Sequence, residues 1–222
     1  MTDSSGKRKG KYHAPRREAA ARETRRRIRQ AAHELFLSHG YAATSISEVA
    51  RQAGVTDRTV YLAFTNKAGL LQSVVETAIV GDDALIPVAS RDIWTEMMEA
   101  APRLQLALFA ADTTELYARA AAVFEVAEAA ADGDPEIAVL RQSGRRRRLS
   151  DFRLIADSLA RKGALRPEVN AEEATDVLYT LASDGTYRML VTQRGWSIQR
   201  FQTWLAETLA TSLLGDFERQ AD

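Results

Sequence analysis

The sequence contains no cysteine. That excludes disulfide frameworks, cysteine-based zinc fingers and thiolate chemistry, and it gives secretion no support. Histidine is nearly as scarce: His13, His33 and His39 all lie in the N-terminal third. A histidine base or metal ligand could serve the rest of the chain only if that third reached into it. There is no Ser-His-Asp arrangement, glycine-rich phosphate loop or His-Glu-x-x-His pattern. The carboxylates are plentiful but form no recognisable acid/base pair. Catalytic residues, a bound metal and a cofactor are therefore not expected. The amino terminus is charged, and no apolar run approaches the length of a membrane span. The cytoplasm is the expected location.

What is present reads as an ordinary soluble chain. It has 222 residues, 45% hydrophobic and 27% charged, enough for one large domain or two modest ones. The net charge of zero hides an asymmetry. Residues 1–67 carry 14 Lys+Arg against 6 Asp+Glu, a balance of +8, and residues 68–222 carry −8. The basic segment suits phosphate; the acidic one should avoid it.

The basic segment holds the most informative stretch, Thr44 to Lys67. Ser45 followed by Glu48 is a capping box before a helix whose Ile46, Val49 and Ala50 share one apolar face. Gly54 marks a sharp turn. Thr56 then caps a second helix, in which Val60 and Phe64 lie four residues apart and dock back on the first. This is a helix-turn-helix (motif 45–64), whose second helix enters the major groove of DNA. Upstream, a helix from about Glu18 to His39 carries the stripe Ile28, Ala31, Ala32, Leu35 and Phe36 and ends at Gly40. Tyr41 and Thr44 then present hydroxyls suited to a phosphate. In the second helix of the motif Arg58 suits a guanine edge, Thr59 and Leu62 a thymine methyl, and Tyr61 a phosphate. Thr56 helps to position the backbone, and Lys67, opening a fourth helix to about Val80, is a further phosphate ligand. Residues 1–18 read as a disordered basic arm and 19–67 as the DNA-binding domain.

With its flanks, this stretch resembles the tetracycline-repressor-like (TetR) family of bacterial regulators over roughly residues 22–71. The matching positions include Ile28, Leu35, Phe36, Gly40, Tyr41, Thr44, Ala50, Gly54, Thr59, Tyr61, Phe64, Lys67 and Leu70. Leu62 and Ala63 depart from the aromatic or histidine often found there. The resemblance implies an all-α chain, with a three-helix DNA-binding domain and a larger helical domain (68–222) for ligand binding and dimerisation. It implies a homodimeric repressor on a palindromic double-stranded operator, associated with the nucleoid when bound and released by a small-molecule effector. Helix 67–80 would be the connecting lever.

In the larger domain the sequence predicts a short helix at 91–100 and one bent helix or two over 103–131. A long helix follows Asp132-Gly133-Asp134-Pro135 to about Lys162, then helices at 171–193 and 197–214. Candidate ligand contacts are Trp94, Met98, Phe109, Tyr117, Phe124, Phe152, Tyr179 and Tyr187, scattered over these helices. The resemblance assigns the last two helices to the dimer interface, with Leu181, Gly185, Phe201, Trp204, Leu205 and Leu209 as contacts. The run Arg145–Arg148 points around the whole helix circumference, so its arginines cannot all be buried. It reads mainly as a solvated band, or else as an anion contact. Two other readings stay open: a regulator, repressor or activator, without small-molecule control, and a helical scaffold or carrier that does not bind DNA.

Overall fold

The computed structural model describes residues 14–81 and 92–215. Ten α-helices and one π-helical segment make up the architecture of these residues. The only β-pairing among them is an isolated bridge between Leu165 and Leu214. The chain forms two compact units, Met1–Val74 and Val75–Asp222, so the division falls inside a helix.

The first unit is built on α1 (Ala14–Ala43), α2 (Ile46–Ala53), α3 (Asp57–Phe64) and the first part of α4 (Lys67–Val80). Residues 14–18, expected to belong to the basic arm, are the first turn of α1; the rest of that arm lies outside the described residues. Gly40 interrupts α1 at φ 78° and ψ 166°, a conformation that glycine adopts without a Cβ penalty. Ile28, Ala32 and Phe36 are fully buried and pack the unit's core with Val49, Val60, Leu70 and Leu71.

The second unit contains α5 (Asp92–Glu99), α6 (Pro102–Ala130), α7 (Pro135–Arg161), α8 (Ala171–Leu181), α9 (Asp184–Tyr187), a π segment (Arg188–Gln193) and α10 (Ile198–Leu213). The stretch 103–131, expected as one bent helix or two, is the single α6 up to Ala130, with Ala131 as its C-terminal cap. Asp134 starts α7 by accepting from the amides of Glu136 and Ile137 at 2.9 and 3.4 Å. Gly163, at φ 66°, follows its end.

The helix expected over 171–193 is broken. Ala182 leaves helical geometry at ψ 49°, and Ser183 caps a new start by accepting from the Thr186 amide at 3.0 Å. Apolar periodicity runs through this joint, whereas a serine cap and a buried acceptor for Tyr117 interrupt the backbone. The chain then widens into the π segment, a form often found at functional sites.

α10 corrects part of the expected dimer surface. Phe201, Leu205 and Leu209 are fully buried within the single chain and belong to the core of the unit. Their stripe packs on α6 and α8, so it is not available to a second copy. Leu181, Gly185 and Trp204 remain partly exposed. A Cβ on Gly185 would meet nothing closer than Ser183 Oγ at 3.6 Å.

Candidate DNA-binding site

The reading head is assembled by local hydrogen bonds that its sequence dictates. Ser45 N–H donates to Glu48 Oε2 at 2.9 Å, and the Glu48 amide returns a bond to Ser45 Oγ at 3.2 Å. Together they complete the capping box of α2. At its other end Gly54 adopts φ 65° and ψ 40°. Val55 N–H reaches Ala50 O at 2.9 Å and Gly54 N–H reaches Arg51 O at 3.2 Å, the two bonds of a Schellman motif. Thr56 caps α3, accepting from the Thr59 amide at 3.3 Å.

Glu48 gives this assembly a pH dependence. Its carboxyl is held below the ordinary value of 4.5, first by the Ser45 backbone N–H and then by the Ser45 hydroxyl. A depressed folded-state pKa contributes stability above the unfolded-state value and loses it as pH falls through the folded one. Glu48→Gln should therefore lower the melting temperature at pH 7, and the gap to the wild type should close as the pH falls below 4.5 through the depressed folded-state value. A constant gap across that range would show that the charge is irrelevant to the cap.

Val60 and Phe64 turn inward from α3, at 1% and 6% exposure, while Tyr61 and Leu62 are 51% and 77% exposed. Arg58 is exposed on the same outer side, one turn before them. Its guanidinium makes no hydrogen bond or ion pair among the described residues; Asp57, its neighbour, instead accepts from the Ser47 hydroxyl of α2. Thr59 is half-buried, its hydroxyl 3.0 Å from that of Thr56. The outer face thus offers a cation, a phenol and an isobutyl group together. A leucine this exposed among polar neighbours is the kind of group that gains from burial against a thymine methyl.

The flanking candidates divide. Tyr41 and Lys67 come together: Lys67 Nζ lies 4.3 Å from the Tyr41 ring centre and donates to the Ala42 carbonyl at 3.3 Å. Thr44 does not join them. It is 1% exposed, and its hydroxyl donates to the carbonyls of Gly40 and Leu35 at 2.8 and 3.2 Å. The hydroxyl ties the turn before α2 back to the break at Gly40. Its expected phosphate contact is thereby corrected to a structural one.

Arg25 is a positioning residue that the sequence did not reveal. Its guanidinium lies 5.0 Å from the Phe64 ring centre and donates to the Ala63 carbonyl, closing the end of α3 from 38 residues away. Beyond that end, Thr65 adopts φ 66° and ψ −56°, and Asn66 N–H bonds Phe64 O at 2.7 Å. This is a γ-turn of the less common, strained hand. A β-branched residue there carries strain of about 1–3 kcal/mol, partly offset by the greater unfolded-state entropy of any glycine replacement. Thr65→Gly should stabilise the protein by about 1 kcal/mol, measured by denaturant titration; a loss of stability would exclude strain at this turn.

The candidate ligand contacts in the second unit pack against one core. Phe109 and Phe152 meet edge to face at 5.0 Å, and Trp94 and Met98 lie partly buried against the same core. A second group gathers around Tyr117, with Phe124 at 6.3 Å and Tyr187 at 5.7 Å. Tyr179 joins it through Arg148, whose guanidinium lies 4.2 Å from its ring centre.

Two short helices locked by caps, with an apolar inner face and a basic, aromatic outer one, define a DNA-binding regulator of the helix-turn-helix class. Residues 28–74 match the model for bacterial regulatory proteins of the tetR family. The HTH-type transcriptional regulator TtgR of Pseudomonas putida is 27% identical over 205 residues, spanning 91% of this chain and 90% of that one. NalD, described as the secondary repressor of the MexAB-OprM multidrug efflux pump in Pseudomonas aeruginosa, superposes with a TM-score of 0.71 at 22% identity, over 89% of this chain and 99% of the other. SmeT in complex with triclosan superposes with a TM-score of 0.69 at 19% identity, over 88% and 93%. Residues 28–74 are thus a tetR-family DNA-binding domain, in a chain that is a transcriptional regulator and not an enzyme. No helix among the described residues is long and apolar enough to cross a membrane.

Proposed function

We propose that the protein is a homodimeric repressor that reads a palindromic operator through Arg58, Tyr61 and Leu62 and is released from it by a small molecule. The observation that carries the reading is the outer face of α3, where these three side chains stand exposed on a helix anchored by Val60 and Phe64. Arg58 takes a base edge, Leu62 a thymine methyl, and Tyr61, Tyr41 and Lys67 the phosphates on either side.

One two-turn reading helix contacts few base pairs, and a two-fold dimer doubles them. Leu181, Gly185 and Trp204, which keep exposure in the single chain, supply the dimer contacts, extended by Met189 and Ile198 at 52% and 39% exposure. The triclosan complex of SmeT supports a small-molecule effector in the second unit. α4 runs through the division between the units, which suits it as the lever. In the second unit, Arg119 of α6 donates to the Ile79 carbonyl near its end at 3.4 Å. The protein acts in the cytoplasm, on the nucleoid when bound.

The deciding experiment is binding of the purified protein to its own upstream DNA across a salt series. Saturable binding by a dimer, surviving competitor DNA, is the expected result. The log–log salt slope counts neutralised phosphates at about −0.9 per contact. Failure to bind that fragment and any operator selected from random DNA would overturn the reading.

A further inference from the structure

The arginine run 145–148 divides in two. Arg145, Arg146 and Arg147 are exposed, and Arg145 pairs with Glu128 at 2.8 Å, as a solvated band should. Arg148 instead turns inward from α7. Its Nη1 bonds Asp184 Oδ1 at 2.9 Å at the start of α9, and its guanidinium lies against the Tyr179 ring of α8. Its Nε is buried and donates to no acceptor, the one buried side-chain nitrogen or oxygen in that condition among the described residues.

A guanidinium has five N–H donors in a fixed fork and no acceptor. With Asp184 at the Nη1 corner, the edge bearing Nε still calls for an acceptor, and a buried donor without one carries its full desolvation penalty. The Tyr117 hydroxyl lies within hydrogen-bonding reach of the guanidinium and donates to the Ala182 carbonyl at 2.8 Å, but Nε itself is left without an acceptor. Burial pushes that hydroxyl up to about 12, so near neutrality it stays a neutral phenol. A basic edge between tyrosine rings suits a flat organic anion, whose ring stacks while its oxygens accept from the fork.

We infer that Arg148 anchors an aromatic carboxylate effector, bound at its Nε edge beside Tyr117 and Tyr179. This deepens, and rests on, the reading of the protein as a ligand-released repressor. Such an anion shares the charge of the guanidinium with Asp184 and so weakens that pair. Asp184 opens α9 just beyond the break at Ala182, so occupancy alters the joint between α8 and α9.

The test is isothermal titration of the full-length protein with benzoate, salicylate and 2-naphthoate, each beside its uncharged amide. It is run on the wild type, Arg148→Lys, Arg148→Met and Asp184→Asn. At least one carboxylate should bind, with its amide about tenfold weaker or worse. Arg148→Met and Arg148→Lys should each lose about tenfold, the lysine because a point charge lacks the fork. Asp184→Asn should bind more tightly, a gain that a merely structural pair would not give. If Arg148→Met fails to fold, the lysine and asparagine variants decide. The inference is overturned if no carboxylate binds, if the amides bind equally, or if the Arg148→Lys and Asp184→Asn variants match the wild type. Operator release is followed in parallel. Release by neutral compounds alone would sink this site and leave the ligand-released reading standing. Carboxylate binding at Arg148 without release would do the reverse.

Discussion

Replacing Arg58 and Tyr61 together with alanine will weaken operator binding by about 100-fold or more while leaving the fold and the dimer intact. A bidentate arginine–guanine pair discriminates by about 1–3 kcal/mol and a phosphate contact adds to it, so two lost contacts reach that factor. Arg58 is exposed and has no partner among the described residues, and Tyr61 is 51% exposed, so truncation opens no enclosed cavity. The single variants should differ in kind. Arg58→Ala should relax sequence preference, and Tyr61→Ala should weaken all sequences alike while leaving the salt slope unchanged, since a neutral phenol neutralises no phosphate charge. Fluorescence anisotropy with operator and scrambled DNA, beside sedimentation to follow the dimer, measures all of this. Unchanged operator affinity in the double variant would exclude this face as the reader.

Gly69→Ala should produce the largest loss of stability of any conservative change in the first unit. In an ordinary helix the same exchange stabilises by about 1 kcal/mol. Here a Cβ would lie 2.4 Å from the Phe64 carbonyl oxygen and 3.3 Å from Asn66 Oδ1. That carbonyl is not free to retreat. It accepts the Asn66 amide in the γ-turn, and Asn66 Oδ1 itself accepts the Gly69 amide at 2.7 Å as the cap of α4. Relieving the clash therefore means moving the end of the reading helix. The expected loss is about 2–3 kcal/mol, or about 10 °C in the first unit's transition, with weaker operator binding beside it. Calorimetry of the full-length protein measures the first, anisotropy the second. A neutral or stabilising result would mean that the α3–α4 turn is not held as described.

How far the sequence could be read depended on how local the forces were. The helix-turn-helix was legible almost to the residue because its determinants lie three to five positions apart: the Ser45–Glu48 box, the Gly54 turn, the Thr56 cap and the spacing of Val60 and Phe64. Arg25 was not legible, since nothing near it announces a carbonyl 38 residues away. Thr44 misled because a hydroxyl before a helix looks available until it is seen bonded back to the carbonyls of Gly40 and Leu35. The stripe Phe201, Leu205, Leu209 correctly signalled burial, but periodicity does not say against what; its partner is the same chain. The break at Ala182 was hidden for a related reason. Apolar spacing continues across it, and the Tyr117 hydroxyl that takes the freed carbonyl comes from 65 residues earlier. Of the arginine run, geometry foresaw that some members must stay outside, but not that Arg148 would be the one drawn in.

The division of α3 into an anchored side and an exposed side bears on how such a protein changes over generations. Val60 and Phe64 answer to the fold, whereas Arg58, Tyr61 and Leu62, as the proposed readers, would answer only to DNA. Surface substitutions away from packing and caps usually alter stability by no more than about 0.5 kcal/mol, so these three positions are nearly free to drift as far as folding is concerned. A change there tests a new operator without first jeopardising a stable molecule. The reading head is thus an interchangeable alphabet on a fixed mount, and relatives with the same core need not recognise the same sequence.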